Sequence, residues 1–436
     1  MRETEIQAPA QRQLESQPES PARHSAEKAA PPSHSPAPSK LEDYAKLLGE
    51  GEIAELRALA SRMKGKSVMM VNSTSMGGGV AEMLNRIVPL ISELEIPIRW
   101  DVISGGEEFF AITKAFHNAL QGGAYELPDE SFQKFLANNE QNRARLKFDT
   151  EFVVIHDPQP AALIDARQGK SGHWVWRCHI DLSQPNRKVW NFLAPYVHRY
   201  DGAVFSSPAF ARQLPIPQYL SSPSIDPLAD KNRDLEPEFV TGVVERFQID
   251  PNRPILTQVS RFDRAKDPVG VVRAYQIVKR YLDCQLVLAG GGASDDPEGE
   301  QVLAEVREIA GKDPDIHILD LPPWSAFEIN ALQRASTIVI QKSLREGFGL
   351  TVTEALWKKK PVVASAVGGI PSQVIHKHTG LLAHSVEGTA YQIRFLLSNP
   401  AIAQRLGEQG HEHARENFLI VSNVRRVITL LLHLLR

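Results

Sequence analysis

Residues 345–356 have the sequence Arg345-Glu346-Gly347-Phe348-Gly349-Leu350-Thr351-Val352-Thr353-Glu354-Ala355-Leu356, and an apolar run, Thr337-Ile338-Val339-Ile340, precedes them. This order predicts a strand, a glycine-containing loop and a helix that begins near Thr351. The N–H groups at such a helix N-terminus are free to face an anionic ligand. Glu346 is expected at the loop and Glu354 one turn into the helix, along the same edge. The stretch therefore predicts a site for a ligand with hydroxyls and phosphates, such as a nucleotide sugar, although glutamate is also common at a solvated helix N-terminus.

The same alternation of strand and helix extends in both directions from this stretch. Apolar strands are predicted in the first half at residues 67–71, 98–102, 152–155, 174–180 and 202–206, and in the second half at 255–259, 285–289, 316–319, 361–364 and 380–382. Apolar strands that alternate with helices predict parallel sheets covered on both faces. Two such domains bind their ligands at the carboxyl ends of the strands, so the site is expected in the cleft between them.

The composition is that of a soluble globular protein with two domains. The chain has 436 residues, 42% of them hydrophobic and 23% charged, and its net charge is −3. This charge gives no reason to expect a nucleic acid or a membrane as partner, and no apolar run approaches the roughly 18 residues of a membrane helix. Cys178 and Cys284 are the only cysteines, which fits a reducing, cytoplasmic location. Residues 1–40, rich in Pro, Ser and Ala, are predicted to be a disordered tail.

A second candidate loop has the sequence Ser260-Arg261-Phe262-Asp263-Arg264-Ala265-Lys266-Asp267. It lies between a predicted strand and a predicted helix, so Arg261 and Lys266 are expected at the carboxyl end of a strand. Arginine binds two phosphate oxygens at once, and lysine adds a compact charge. A diphosphate leaving group needs such cations as its negative charge grows. The pair predicts a diphosphate site, with a solvated basic loop as the alternative.

Polar residues also end two consecutive strands of the first half. Asp157 follows the strand at 152–155, and His179 closes the next one. These side chains can hydrogen-bond sugar hydroxyls and polarise them. A metal site is the weaker alternative, because the sequence shows no three ligands at close spacing, and no metal is predicted. Gly77-Gly78-Gly79 allows close approach of a phosphate or sugar, but it lacks the spaced glycines of a dinucleotide site, so no NAD cofactor is predicted.

The spacing of Glu346 and Glu354 around Gly-Phe-Gly-Leu resembles the signature of retaining GT-B glycosyltransferases, the group that includes glycogen, sucrose and trehalose synthases. In that family the first glutamate contacts the donor sugar and the second binds the ribose hydroxyls. Arg261 and Lys266 are similar to the family's Arg-x4-Lys pair, which binds the donor diphosphate. The resemblance implies that the donor site also includes the glycine-rich loops, namely Gly78, Gly79, Gly347, Phe348, Gly349 and Leu350.

A narrower resemblance, to the trehalose glycosyltransferring synthases and the retaining trehalose phosphorylases, extends from about residue 41 to the C-terminus. It rests on three stretches, Trp176-Arg177-Cys178-His179-Ile180-Asp181-Leu182-Ser183, Val204-Phe205-Ser206-Ser207 and Ser224-Ile225-Asp226-Pro227. Trehalose-forming relatives carry an acceptor-binding Asp after one strand and a His after the next, which implies that role for Asp157 and His179. The long N-terminal extension of the fungal phosphorylases is missing, which favours the synthase.

The implied fold is α/β of the GT-B type, with two Rossmann-like parallel-sheet domains that face a central cleft. The acceptor domain is expected at residues 41–228, the donor domain at 229–420, and a C-terminal helix at 421–436 that crosses back onto the first domain. A homodimer is one option for assembly.

The implied reaction moves glucose from ADP-, UDP- or GDP-glucose to free glucose, giving α,α-trehalose and NDP with retained configuration. The implied catalytic residues are Glu346, His179, Arg261 and Lys266. The partners are the nucleotide-sugar donor and the glucose acceptor, and no cofactor is expected. Trehalose phosphorolysis is the runner-up, followed by a catalytically silent sugar-binding protein and a nucleotide-sugar epimerase on the same fold.

Overall fold

A computed structural model describes residues 40–75, 79–123, 125–291 and 297–436 of the chain. The tail predicted for residues 1–40 therefore lies outside the described residues up to position 39, and so does Gly78 of the first glycine loop. Within these ranges, none of the helices has the length and hydropathy of a membrane-spanning segment.

The first sheet lies in the N-terminal half of the described chain. Its strands are β1 Val68–Asn72, β2 Ile98–Val102, β3 Phe152–His156, β4 His173–Cys178, β5 Gly202–Phe205 and β6 Gln218–Leu220. All pairs are parallel and the order is β2-β1-β3-β4-β5-β6. The sequence predicted five of these strands and missed β6. The reason is that β6 is a three-residue edge strand whose first and last residues are exposed, so it carries no apolar signal.

The second sheet lies in the C-terminal half and repeats the plan. Its strands are β7 Ile255–Val259, β8 Gln285–Gly290, β9 Ile316–Asp320, β10 Ile338–Gln341, β11 Val362–Ser365 and β12 Leu381–Ala383. They are parallel in the order β12-β11-β10-β7-β8-β9. The sequence predicted every one of them to within a residue or so at each end. Two parallel six-stranded sheets confirm the predicted α/β class for the described residues.

Helices cover both faces of each sheet. In the N-terminal half they are α1 Leu41–Leu48, α2 Glu50–Ser61, α3 Gly79–Glu93, α4 Glu107–Leu120, α5 Asp129–Arg145 and α6 Arg187–Val197. In the C-terminal half they are α7 Pro237–Arg246, α8 Pro268–Lys279, α9 Pro297–Ala310, α10 Ala326–Ala335, α11 Leu350–Trp357, α12 Ile370–Gln373, α13 Val386–Ser398, α14 Pro400–Asn417 and α15 Ile420–Leu434. Short 3-10 helices span Ala161–Arg167, Pro208–Phe210 and Arg264–Lys266.

Alternate residues of the first sheet enter two different cores. Met69 and Val71 of β1 pack with α4, α5 and α6 on one face. Val68 and Met70 pack with α1, α2 and α3 on the other. Because successive side chains of a strand point to opposite faces, one apolar run serves both cores.

The C-terminal helix returns to the N-terminal half, as predicted. Val424, Ile428 and Leu431 of α15 recur on one helical face. They are buried in the same core as Leu84 and Ile87 of α3. The chain therefore passes between the halves a second time just before α15.

The two passages between the halves lie side by side. The N–H group of Ile225 donates to the carbonyl oxygen of Phe418 at 2.9 Å, and that of Ile420 donates to the carbonyl oxygen of Ile225 at 2.9 Å. Nearby, the Tyr44 hydroxyl donates to Asp226 Oδ1 at 3.0 Å. These hydrogen bonds hold the connecting segments together at the base of the cleft. The facing loops of the two sheets form the walls of the cleft.

Candidate active site

A cavity of about 410 Å³ lies between the carboxyl ends of the two sheets. It brings together many of the residues singled out from the sequence, namely Gly79, Asp157, His179, Arg261, Lys266, Glu346, Phe348, Gly349 and Leu350. Gly347 and Glu354 are not among the residues that line it. The cavity thus joins the predicted acceptor side and the predicted donor side in one place, while the role of each residue stays a prediction.

The loop before α11 is shaped by Gly349. This residue is the N-cap of α11 and has a φ of 84°, in the left-handed region. A Cβ atom there would lie 3.2 Å from Cγ of Glu346, so glycine supplies both the backbone conformation and the space. The helix begins at Leu350, one residue before the predicted start, and Glu346 lies against its N-terminal turn.

Glu346 forms an ion pair with Lys266 inside the cavity. Lys266 Nζ lies 2.6 Å from Glu346 Oε2, and the exposed fractions of the two side chains are 19% and 8%. The Ser343 hydroxyl donates to the same carboxylate oxygen at 3.1 Å. An ion pair that is shielded from water is stronger than one on the surface. Glu346 therefore holds the lysine in a fixed direction.

Arg261 is the more exposed cation of the site. Its Nη2 lies 2.9 Å from Asp263 Oδ2, and its side chain is 63% exposed. Asp263 Oδ1 also accepts from the Lys266 backbone N–H at 3.0 Å, so one carboxylate organises the whole loop. Arg261 is free to turn toward an anion that enters the cleft, because most of its side chain faces water.

His117 is a cavity residue that the sequence did not point to. It lies in the last turn of α4 and lines the cleft cavity together with Arg261. Burial lowers its pKa, and the charge of Arg261 lowers the pKa further. A neutral imidazole is therefore available to sugar hydroxyls there. A histidine in a helix end carries no local signal of such a position.

Asp157 connects the ends of β3 and β4. Its φ of 66° is left-handed, and its Oδ1 accepts from the His179 backbone N–H at 2.7 Å. The Asp157 backbone N–H donates to the carbonyl oxygen of Arg177 at 2.8 Å. Burial raises the pKa of Asp157 to about 6, although the His179 N–H bond and Arg177 act in the opposite direction. Asp157 thus sets the position of His179 in addition to facing the cavity.

His179 pairs with a second histidine behind the cavity wall. His179 Nε2 and His156 Nδ1 lie 2.9 Å apart, and the rings are nearly parallel at 11°. Burial lowers the pKa of both rings, that of His156 to about 3, and the charge of Arg177 adds to the effect. Both rings are therefore neutral, and one nitrogen of the pair donates to the other. Sequence analysis did not assign His156 a role, although it directly precedes Asp157.

Two family models match the chain in succession. Residues 70–212 match the trehalose synthase N-terminal domain, and residues 243–413 match the glycosyl transferases of group 1. The trehalose synthase of Pyrococcus horikoshii is 43% identical over 402 residues, which cover 90% of this chain and 96% of that protein. The chain belongs to the trehalose synthase family. It is a trehalose-related glycosyltransferase, as the resemblance implied.

The chain is also similar, at lower identity, to a trehalose phosphorylase and to a solved structure of a trehalose-phosphate synthase. The trehalose phosphorylase of Pleurotus pulmonarius is 28% identical over 444 residues, which cover 88% of this chain and 59% of that protein. The structure of an α,α-trehalose-phosphate synthase from Burkholderia xenovorans superposes with a TM-score of 0.66 at 15% identity, over 85% of this chain and 100% of that one. At that identity the likeness concerns the fold alone, and it confirms the GT-B architecture.

In this family member, Gly368 supports the Glu346 loop from behind. Its φ is 56°, and a Cβ atom there would lie 1.6 Å from the carbonyl oxygen of Glu346. The N–H of Gly369 donates to the carbonyl oxygen of Gly347 at 3.0 Å. Sequence analysis missed both glycines, although adjacent glycines after the predicted strand at 361–364 were the available signal.

Glu354 lies beside the connection between the halves and does not line the described cavity. It is buried, and burial raises its pKa while the charges of Lys358 and Lys231 lower it. Lys231 Nζ pairs with Glu82 of α3 at 3.1 Å. Lys358 Nζ donates to Gln333 Oε1 at 2.7 Å. Glu354 is thus held in a charged cluster at the edge of the cleft.

Proposed function

We propose that this enzyme transfers glucose from ADP-, UDP- or GDP-glucose to the anomeric hydroxyl of free glucose. The products are α,α-trehalose and NDP, with retained configuration. One observation carries the proposal. The Lys266–Glu346 ion pair and Arg261 face Asp157 and His179 across a single cavity. A cationic wall suits a diphosphate, and a wall with a carboxylate and a neutral imidazole suits the hydroxyls of a sugar.

On the donor side, Lys266 and Arg261 stabilise the diphosphate as its bond to glucose breaks. Negative charge on the leaving group grows as the bond breaks, so cations beside it lower the barrier more than they tighten ground-state binding. The N-terminus of α11, which begins at Leu350 in the cavity wall, adds N–H groups that favour anions. Glu346 accepts a hydrogen bond from a hydroxyl of the donor sugar and orients Lys266.

On the acceptor side, His179 and Asp157 bind the incoming glucose. A neutral imidazole can donate to or accept from a hydroxyl, and it does not repel the positive charge that develops on the donor ring. The depressed pKa of His179, caused by burial, keeps it in that form. Asp157 fixes the loop through the His179 N–H bond of 2.7 Å.

The reaction proceeds on one face of the donor ring. A double displacement needs a free carboxylate as nucleophile. Among the described lining residues, the carboxylates are Glu346, which is paired with Lys266, and Asp157, which accepts a backbone N–H. The acceptor oxygen therefore bonds to the anomeric carbon as the bond to the phosphate oxygen breaks. The acceptor proton passes to the departing phosphate oxygen.

Trehalose phosphorolysis is the second candidate. The same cations would bind inorganic phosphate, and a trehalose phosphorylase is among the more distant relatives. The two functions differ at Glu354, because only a nucleotide brings a ribose for that carboxylate to bind.

In the deciding experiment, the protein is incubated with ADP-, UDP- or GDP-glucose plus glucose, and the trehalose and NDP formed are quantified. Donor without glucose controls for hydrolysis, and trehalose with phosphate tests phosphorolysis. We expect trehalose and NDP in equal amounts from at least one donor. Formation of glucose 1-phosphate from trehalose and phosphate, without synthesis from any nucleotide donor, would establish the phosphorylase function instead.

A further inference from the structure

A second cavity, of about 440 Å³, lies between the first sheet and the C-terminal helix. Its walls are mainly apolar side chains from three sources, namely Met70, Val154 and Val175 of the sheet, Leu84 and Ile87 of α3, and Leu430 and Leu431 of α15. Its volume is in the range of small-molecule sites. The cleft cavity has a different set of lining residues, with only Met83 common to both.

Two arginines in this cavity have no acidic partner among the described residues. Arg177 of β4 is only 6% exposed, and its Nη2 donates to the carbonyl oxygen of Ser221. Its Nη1 is buried without a hydrogen-bond partner in the described structure. Arg426 of α15 donates to the carbonyl oxygens of Asn417 and Ser222 at 2.8 and 3.2 Å, and its Nε is likewise buried without a partner.

Buried guanidinium nitrogens without hydrogen-bond partners destabilise the fold unless an anion accepts hydrogen bonds from them. A buried guanidinium loses its hydration, and without an ion pair it gains little in return. Asp157 is the carboxylate that acts on Arg177, and it forms no ion pair with the guanidinium in the described structure. Burial lowers the pKa of Arg177 to about 10, with the charge of Asp157 opposing the shift. The guanidinium stays charged at neutral pH and offers a donor to the cavity. An anionic group with an apolar body would satisfy the arginines and the apolar walls together.

His156 links this cavity to the cleft. Its ring lines the second cavity, and its buried Nε2 has no hydrogen-bond partner among the described residues. Its Nδ1 is bonded to Nε2 of His179, at 2.9 Å. If the His156 Nε2–H donates to a bound anion, His156 Nδ1 carries no proton and must accept a hydrogen bond from the Nε2–H of His179. Occupancy of the cavity would then fix the tautomer of both rings.

We propose that this cavity is an effector site for a small anion with an apolar tail. Its carboxylate or phosphate would contact Arg177 and Arg426, its tail would lie between α3 and α15, and its binding would orient His179 through His156. The link to turnover rests on the proposed glucosyl transfer, whereas the binding itself does not.

Binding is tested by calorimetry on the full chain with octyl phosphate and with octanoate, which separate the two head groups. We expect saturable binding of at least one of them. Octan-1-ol, which lacks the charge, and inorganic phosphate, which lacks the tail, should bind at least tenfold more weakly, because each misses one half of the site. Equal binding of octan-1-ol, or no binding of either anion, would overturn the proposal.

Variants of residues in the wall of the second cavity test whether the anion binds there. Arg426→Met should weaken anion binding by roughly tenfold or more, since it removes a charged donor. Val427→Phe should weaken it by filling the cavity while leaving both arginines in place. Arg307→Met, on the exposed face of α9, is the matched control and should bind as the wild type does. If Arg426→Met and Val427→Phe bind normally, the anion is bound elsewhere.

The coupling is tested by turnover with and without saturating anion. We expect kcat to change at least twofold in the wild type and to stay constant in Arg426→Met. Nitrogen NMR of the histidine rings should show one fixed tautomer for His156 and His179 only when the anion is bound. Binding without a change in either readout would refute the effector role. Failure of glucosyl transfer itself would leave the binding and NMR results intact.

Discussion

Lys266 Nζ and Glu346 Oε2 lie 2.6 Å apart, and each is the charged partner of the other at the centre of the cleft. The pair joins the loop after β7 to the loop after β10, which are separate in the sequence. Its consequence is that Lys266 is positioned before any donor binds. A cation that is fixed in advance loses little entropy when a diphosphate arrives.

The Lys266–Glu346 ion pair predicts that the losses of kcat in variants of its two residues are not additive. Lys266→Met and Glu346→Gln should each reduce kcat by roughly a hundredfold or more, as for the loss of one charge-stabilising contact. The double variant should be about as slow as the slower single variant, because the two side chains act as a unit. The measurement is kcat for trehalose formation in the four proteins. Losses that multiply would show that the two residues act independently.

Arg261 provides a second prediction with an internal control. Arg261→Ala should lower kcat by an amount equivalent to about 3 kcal/mol, because it removes a guanidinium from the leaving group. Arg264→Ala removes the same charge from the same loop, but Arg264 pairs with Glu305 of α9 at 2.6 Å. It should therefore retain most of its turnover. Equal losses in both variants would point to loop structure or net charge instead of a diphosphate contact.

Glu354 should affect donor affinity more than rate. A ribose contact is remote from the bond that breaks, so Glu354→Gln should raise the donor KM and leave kcat within a few fold. Thermal unfolding must accompany the kinetics, because Glu354 is buried beside Lys358. An unchanged donor KM in a variant of normal stability would remove the ribose role and favour the phosphorylase function.

The fold was predictable because its signals are local. Each strand of the second sheet is a short apolar run, and the helices between them have clear hydrophobic periodicity. Local sequence preference and tertiary packing therefore favour the same secondary structure. The cleft residues at loops, such as Arg261 and Glu346, were found for the same reason. The roles of His156 and Gly368 were missed, because a hydrogen bond across two strands and a backbone contact between two loops depend on the folded arrangement.

His156 makes the stability of the protein depend on pH. Its pKa in the folded state is about 3, lowered by burial and by Arg177, against an ordinary value near 6.5. The unfolded chain therefore binds a proton below about pH 6.5 that the folded chain does not, and stability is lost as the pH falls toward 3. The loss is about 1.4 kcal/mol per pH unit. Between pH 6.5 and 5, the free energy of unfolding of the wild type in urea should fall by about 1.7 kcal/mol more than that of His156→Leu, because His156 of the unfolded chain is already half protonated at pH 6.5.

The acceptor side gives the last prediction, which separates two roles of Asp157. Its carboxylate faces the cavity, and its Oδ1 holds the His179 N–H at 2.7 Å. Asn at this position keeps an oxygen for that N–H and removes the acid, whereas Ala removes both. If the charge binds the acceptor, both variants should be impaired in transfer to glucose. If only the loop position matters, Asp157→Asn should work nearly as well as the wild type.

We expect the charge of Asp157 to be required, and the pH dependence of kcat/KM for glucose tests this. Burial raises the pKa of Asp157 to about 6, so kcat/KM for glucose should fall below that pH as the carboxylate gains a proton. Asp157→Asn should lack this acidic limb and have a lower, flatter profile. Donor affinity by calorimetry should stay unchanged in Asp157→Asn, because the cations proposed to bind the donor, Arg261 and Lys266, lie in the C-terminal half. A loss of donor affinity with an unchanged dependence on glucose concentration would place Asp157 in the donor pocket. The proposed assignment of the acceptor to the N-terminal half and the donor to the C-terminal half would then be wrong.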